Sequence, residues 1–116
     1  MKPRSDLKVS LFQISEDMRI GLLNASAKSI LNGNKKSIND CILEALREYL
    51  SLPDGTQPKP AVQKLASVKY TVRMTSEVKN QIAQAAAKWQ LKTGLPVSMN
   101  AVVNAAIALY LAKDGK

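Results

Sequence analysis

One segment has a strand pattern that limits which folds are open to the chain. Residues 68–74, VKYTVRM, alternate strictly, with Val68, Tyr70, Val72 and Met74 on one face and Lys69, Thr71 and Arg73 on the other. A lone strand leaves backbone N–H and C=O groups unpaired, so it needs a partner, and the other strand candidate in the sequence is the segment 7–14. Pairing the two gives a two-stranded antiparallel ribbon. Helices must then cover its apolar side, while Lys69, Thr71 and Arg73 stay in solvent.

The rest of the chain is a diverged duplication. Residues 7–14 correspond to 67–74 at an offset of 60, and residues 33–50 to 94–111 at an offset of 61. One residue has been gained in the first helix of the second copy. Ile38, Cys41, Ile42, Ala45, Leu46, Tyr49 and Leu50 form a helical stripe that Met99, Val102, Val103, Ala106, Ile107, Tyr110 and Leu111 repeat position by position. Ser37 and Asn39 match Ser98 and Asn100. Each Ser stands where a helix N-cap belongs, and Ser37 with Asp40 has capping-box spacing. The preceding helices begin after Ser15 and Thr75. Val78, Ile82, Ala85 and Trp89 form a clean stripe, whereas the stripe of Met18, Leu22 and Ala25 is blurred by Ile20, Leu23, Ala27 and Ile30.

These signals divide the chain into a tail (1–6), a first strand-helix-helix unit (7–50), a linker (51–66), a second unit (67–113) and a tail (114–116). The linker holds Pro53, Pro58, Pro60 and Gly55, which stop the preceding helix. Fully extended it spans roughly 50 Å, enough for the flanking units to pack against each other. The expected fold is mainly α with a short β-ribbon, two tandem units pairing within one chain as a pseudo-dimer.

Composition removes whole classes of function. The chain has no His and one Cys, so the usual zinc sets, His-based triads and Cys-His pairs are absent, and no Gly-rich phosphate loop follows a strand. No enzyme activity, metal, cofactor or small-molecule ligand is expected. Cys41 falls in the apolar stripe and reads as a buried, inert thiol. No apolar run is long enough for a membrane span, and the first eleven residues lack a signal-peptide pattern, so a cytoplasmic location is expected. The net charge of +8 points to an anionic partner. Residues 1–58 carry eight Lys and Arg against seven Asp and Glu, and residues 59–116 carry nine against two, so the balance is +1 and then +7.

With these residues in view a resemblance becomes specific. KYTVRMTSEV, the turn GLPVSMN and the helix VVNAAIALYL resemble a unit of the ribbon-helix-helix superfamily, the Arc, MetJ and CopG type of DNA-binding protein. FQISEDM, GNKKSIN and CILEALREYL are similar but less typical. The tandem arrangement resembles single-chain members among conjugative-plasmid accessory proteins. The resemblance implies that Lys69, Thr71 and Arg73 face DNA bases in the major groove, joined from the first strand by Val9, Leu11 and Gln13. It also implies that the starts of the second helices, around Ser37 and around Val97, Ser98 and Met99, grip phosphates. Helix N-termini suit that role, since they offer unpaired N–H groups and partial positive charge. Lys35 and Lys36 would reinforce the first grip and Asp40 oppose it, and Lys79, in the first turn of its helix, would meet a phosphate.

Strand one departs from the pattern, because the aligned register sends Val9 and Leu11 outward and Ser10 inward. A bulge near Leu11 would instead bury Val9 and Leu11 and expose Lys8 and Ser10; the aligned register is preferred. Alanines at 101, 105, 108 and 112 form a stripe that would suit self-association into higher oligomers on DNA, or simply reflect helix propensity. The functional expectation is a transcriptional regulator of a plasmid or other mobile element, with a relaxosome or architectural DNA-binding accessory protein as the alternative. An antitoxin-type interaction module is disfavoured, since only residues 114–116 follow the last patterned helix.

Overall fold

A computed structural model describes residues 7–52 and 67–114. The expectations for the first tail, for linker residues 53–66 and for residues 115–116 lie outside the described residues. The element order is β1 (Leu7–Ser15), α1 (Glu16–Leu31), α2 (Ile38–Leu50), β2 (Ser67–Thr75), α3 (Ser76–Thr93) and α4 (Met99–Asp114). The molecule is therefore mainly helical, with one small two-stranded sheet in which β1 and β2 pair antiparallel.

The ladder runs unbulged through nine pairs, among them Val9 with Arg73, Leu11 with Thr71 and Gln13 with Lys69. This is the aligned register. Val9 and Leu11 are 65% and 60% exposed, whereas Phe12, Ile14, Val72 and Met74 are buried on the other face. The bulged alternative is not formed. An unbroken ladder keeps its backbone pairs, at the cost of a buried Ser10 hydroxyl that has no hydrogen-bond partner. Leu11 and Thr71 are equivalent in the repeat and also face each other, so a pseudo-twofold axis passes between them.

Each helix starts and stops for a local reason. Ser15 accepts from the Met18 amide, and Thr75 from the Val78 amide, which caps α1 and α3 where the chain leaves the ribbon. Glu16, Asp17 and Glu77 lie in the first turns, as the helix dipole favours. Gly94 closes α3 in the left-handed conformation at φ 75, which a residue with a Cβ adopts only with strain. α3 has 18 residues and α1 has 16, so the one extra residue of the second copy accounts for half of the difference and the other comes from α3 running to the residue before its glycine.

A single core joins all six elements. Ile42, Leu46 and Tyr49 of α2 lie in it with Val102, Val103, Ala106 and Ile107 of α4, beneath the apolar face of the ribbon. Met18, Leu22 and Ala25 of α1 and Ile82, Ala85 and Ala86 of α3 close its flanks. The residues that blurred the α1 stripe, Ile20, Leu23 and Ile30, are exposed. The two units interleave rather than abut. A Cβ added at Gly21 of α1 would lie 2.7 Å from a methyl of Leu111 on α4 of the other unit. The alanine stripe of α4 is not one surface: Ala101 is buried, Ala105 packs against the core, and only Ala108 and Ala112 are exposed.

Because the core is shared, a cavity in it should destabilise both units together. Leu46→Ala is expected to cost about 2–5 kcal/mol and leave a single unfolding transition. Two separated transitions in urea, followed by Trp89 fluorescence and by circular dichroism, would show that the halves fold independently.

Candidate nucleic-acid interface

The ribbon is covered on one side only. Its other side exposes Val9, Leu11 and Gln13 from β1 and Lys69, Thr71 and Arg73 from β2. The register sets a cation at each end, Arg73 beside Val9 and Lys69 beside Gln13, with Leu11 and Thr71 at the centre. All six side chains expected to read bases thus share one solvent face.

The open edges of this ribbon are held by asparagines. The Arg73 amide donates to Asn39 Oδ1 at 2.8 Å, and Asn39 Nδ2 donates to the Arg73 carbonyl at 3.1 Å. On the opposite edge the Gln13 amide donates to Asn100 Oδ1 at 2.7 Å, and Asn100 Nδ2 donates to the Gln13 carbonyl at 3.0 Å. Asn104, buried on α4, adds a third bond to the Gln13 carbonyl at 2.9 Å. The repeated Ser-x-Asn was visible as a sequence match, but its purpose needs the strand edge beside it.

The two helix starts differ. At α2 the Asp40 amide donates to Ser37 Oγ, and the Ser37 amide donates to Asp40 Oδ2, both at 3.1 Å. This capping box occupies the Ser37 amide itself. Lys36 does not reach toward the ribbon unopposed, because its Nζ lies 2.6 Å from Glu44 Oε1. Tyr110 of the other unit donates to the same carboxylate oxygen at 3.0 Å. The Lys36 hydrogen bond holds the Glu44 carboxyl below its ordinary range, and Glu44 in turn raises the Lys36 ammonium. The turn is further fixed by Ser29, whose Oγ accepts from the Lys36 amide at 3.0 Å. Lys35 is exposed at φ 49.

At α4, Ser98 Oγ accepts from the Ala101 amide at 3.1 Å, and the first turn holds no acid. The amides of Ser98, Met99 and Asn100 find no acceptor among the described residues, whereas that of Val97 meets Gln90 Oε1 at 3.4 Å. Lys79 lines a shallow open groove with Val9, Leu11, Met99 and Asn100, and has no ion-pair partner among the described residues. Arg19, which occupies the same repeat position in the first unit, is instead paired with Glu16. The candidate phosphate contacts thus fall into two groups. Lys36, Ser37 and Val97 are internally engaged, and Lys35, Lys79 and the amides of Ser98 and Met99 are open.

Among the described residues, no three Cys, Asp or Glu side chains gather as a metal site, and no helix is long and apolar enough to cross a membrane. Cys41 is buried, and burial raises its thiol pKa. Compared with known proteins, the chain matches no family model, no curated protein and no solved structure.

The Lys36–Glu44 pair has a pH signature. Since the folded-state pKa of Glu44 lies below its ordinary 4.5, the pair's contribution is present above that pH and is lost as pH falls through the lower folded value. Glu44→Gln should flatten that part of the acid limb, measured as urea midpoints between about pH 2 and 7. An unchanged acid limb would mean that the pair adds nothing to folding.

Proposed function

We propose that the chain is a tandem, single-chain ribbon-helix-helix protein that binds double-stranded DNA sequence-specifically, with the β-ribbon in the major groove. Its most fitting role is a transcriptional regulator of a plasmid or other mobile element. The observation that carries this reading is the bare outer face of a ribbon whose other face is fully built into a core. A solvated strand face ordinarily carries polar residues with no preferred partner. Here it also carries Val9 and Leu11, which give up burial to be there.

The chemistry of the six residues fits base edges. A two-stranded ribbon is one of the few elements that enter the major groove, which is roughly 12 Å wide. Arg73 suits guanine through paired hydrogen bonds to O6 and N7, and Gln13 suits adenine through N6 and N7. Val9 and Leu11 suit thymine methyl groups. Around them the open amides of Ser98 and Met99 and the ammonium groups of Lys79 and Lys35 suit phosphates. The second half of the sequence carries the larger excess charge, +7 against +1, and among the described residues the ion pairs Arg19–Glu16 and Lys36–Glu44 both fall in the first unit.

Selection of bound duplexes from a random library tests this reading. The expected result is a non-palindromic core motif, since Val9, Leu11 and Gln13 stand where the other strand has Lys69, Thr71 and Arg73. On that site Arg73→Ala should cost about 1–3 kcal/mol and relax preference at one base pair. Lys79→Ala should weaken cognate and random duplexes about equally and reduce the slope of log affinity against log salt by about 0.9. A symmetric motif, or unchanged specificity in Arg73→Ala, would show that the reading face lies elsewhere.

A further inference from the structure

In an antiparallel pair, residues that do not exchange hydrogen bonds across the ribbon turn both N–H and C=O to the outer edge. Arg73 and Gln13 are residues of this kind, and an Asn carboxamide meets both groups at each. A carboxamide is chemically a peptide group, with one donor and one acceptor side by side. It therefore acts as a one-residue strand laid against the ribbon edge. Two bonds fix more than one does: they set the height of the Arg73 peptide and also its rotation about the strand axis. That rotation aims the Cα–Cβ bond, and so the guanidinium.

The clamps cross between units. Asn39 opens α2 of the first unit and holds Arg73 of the second; Asn100 opens α4 of the second and holds Gln13 of the first. Their strength differs. Gln13 has a third bond from Asn104, but Leu43 occupies the repeat position corresponding to Asn104, so no such third bond comes to Arg73 from there. Asn39 thus provides both side-chain bonds at this peptide.

We propose that Asn39 and Asn100 are positioning residues for base recognition, each aiming a reading side chain of the opposite unit: Asn39 aims Arg73, and Asn100 aims Gln13. The inference rests on the DNA-binding reading above. Each Asn lies in the first turn of a helix beside the backbone-facing flank. The clamp therefore also sets the distance between the phosphate grip and the base-reading side chain.

The test uses the full chain and the duplex recovered by selection, together with two versions altered by one base pair, under Arg73 and under Gln13. The quantity read is discrimination, the ratio of Kd values for altered and selected duplexes. Asn39→Ala should lower discrimination at the Arg73 base pair by about tenfold. It should change nothing further in an Arg73→Ala background and leave the Gln13 base pair unaffected. Asn100→Ala should do the reverse. Asn39→Asp, which keeps the acceptor for the Arg73 amide and drops the donor, should fall between wild type and Asn39→Ala, and it serves if the alanine variant does not fold. A role confined to stability would lower the unfolding midpoint or weaken all duplexes alike while leaving discrimination intact, and that outcome overturns the proposal while the DNA reading stands. If the unaltered chain selects no duplex, both fall.

Discussion

Backbone pairing between two strands 60 residues apart in the sequence is the interaction on which the rest of the molecule depends. A two-stranded ribbon has too few hydrogen bonds and too little buried surface to persist alone. It persists here because Phe12, Ile14, Val72 and Met74 are roofed by helices from both units. The helices depend on the ribbon in turn, since among the described residues α2 and α4 have no other sheet to cover. Neither unit owns a core. Joining the strands in one chain replaces association of two molecules by closure of a loop, whose entropic cost grows only slowly with loop length.

The two copies differ in their acids. Glu16, Asp40 and Glu44 of the first unit correspond to Ser76, Ala101 and Ala105 of the second. In the first unit Arg19 and Lys36 each have a carboxylate within ion-pair distance, and Asp40 fills the helix start. In the second unit those carboxylates are gone. Among the described residues both ion pairs thus fall in the first unit, in the half of the sequence whose net charge is +1 and not +7. Coulomb attraction to a neighbour held at 2.6 Å competes directly with attraction to a distant phosphate, so a paired lysine counts for little in long-range steering.

Much of this was legible in the amino-acid sequence, for identifiable reasons. Strict alternation at 68–74 and the lack of another partner led to the ribbon, since strand periodicity is local, whereas the preferred register came from the offset of 60 between the two copies and not from the pattern of strand one. Ser15, Thr75 and Ser37 announced helix starts because a cap is a contact over two or three residues. What escaped was tertiary. Lys36 read as a spare cation because its carboxylate lies eight residues away across a turn, with Tyr110 brought in from the other unit. Asn39 and Asn100 read only as matching letters, since nothing local says that an edge of the opposite strand will pass beside them. The α4 alanines show the same limit, because a stripe drawn on one helix does not reveal that its first member is buried and its last two are exposed.

The pseudo-twofold axis between Leu11 and Thr71 has a consequence for how such a surface can change over time. In a dimer of identical chains, whatever stands at the centre must face its own copy, and each substitution on the ribbon happens twice. The three positions per strand then spell at most three independent letters. A single chain is free of that constraint, and Leu11 opposite Thr71 is a pair that no symmetric dimer can display. All six outward positions vary separately, so the vocabulary of surfaces grows as the square of what one strand allows, and one half is free to drift while the other keeps its fit.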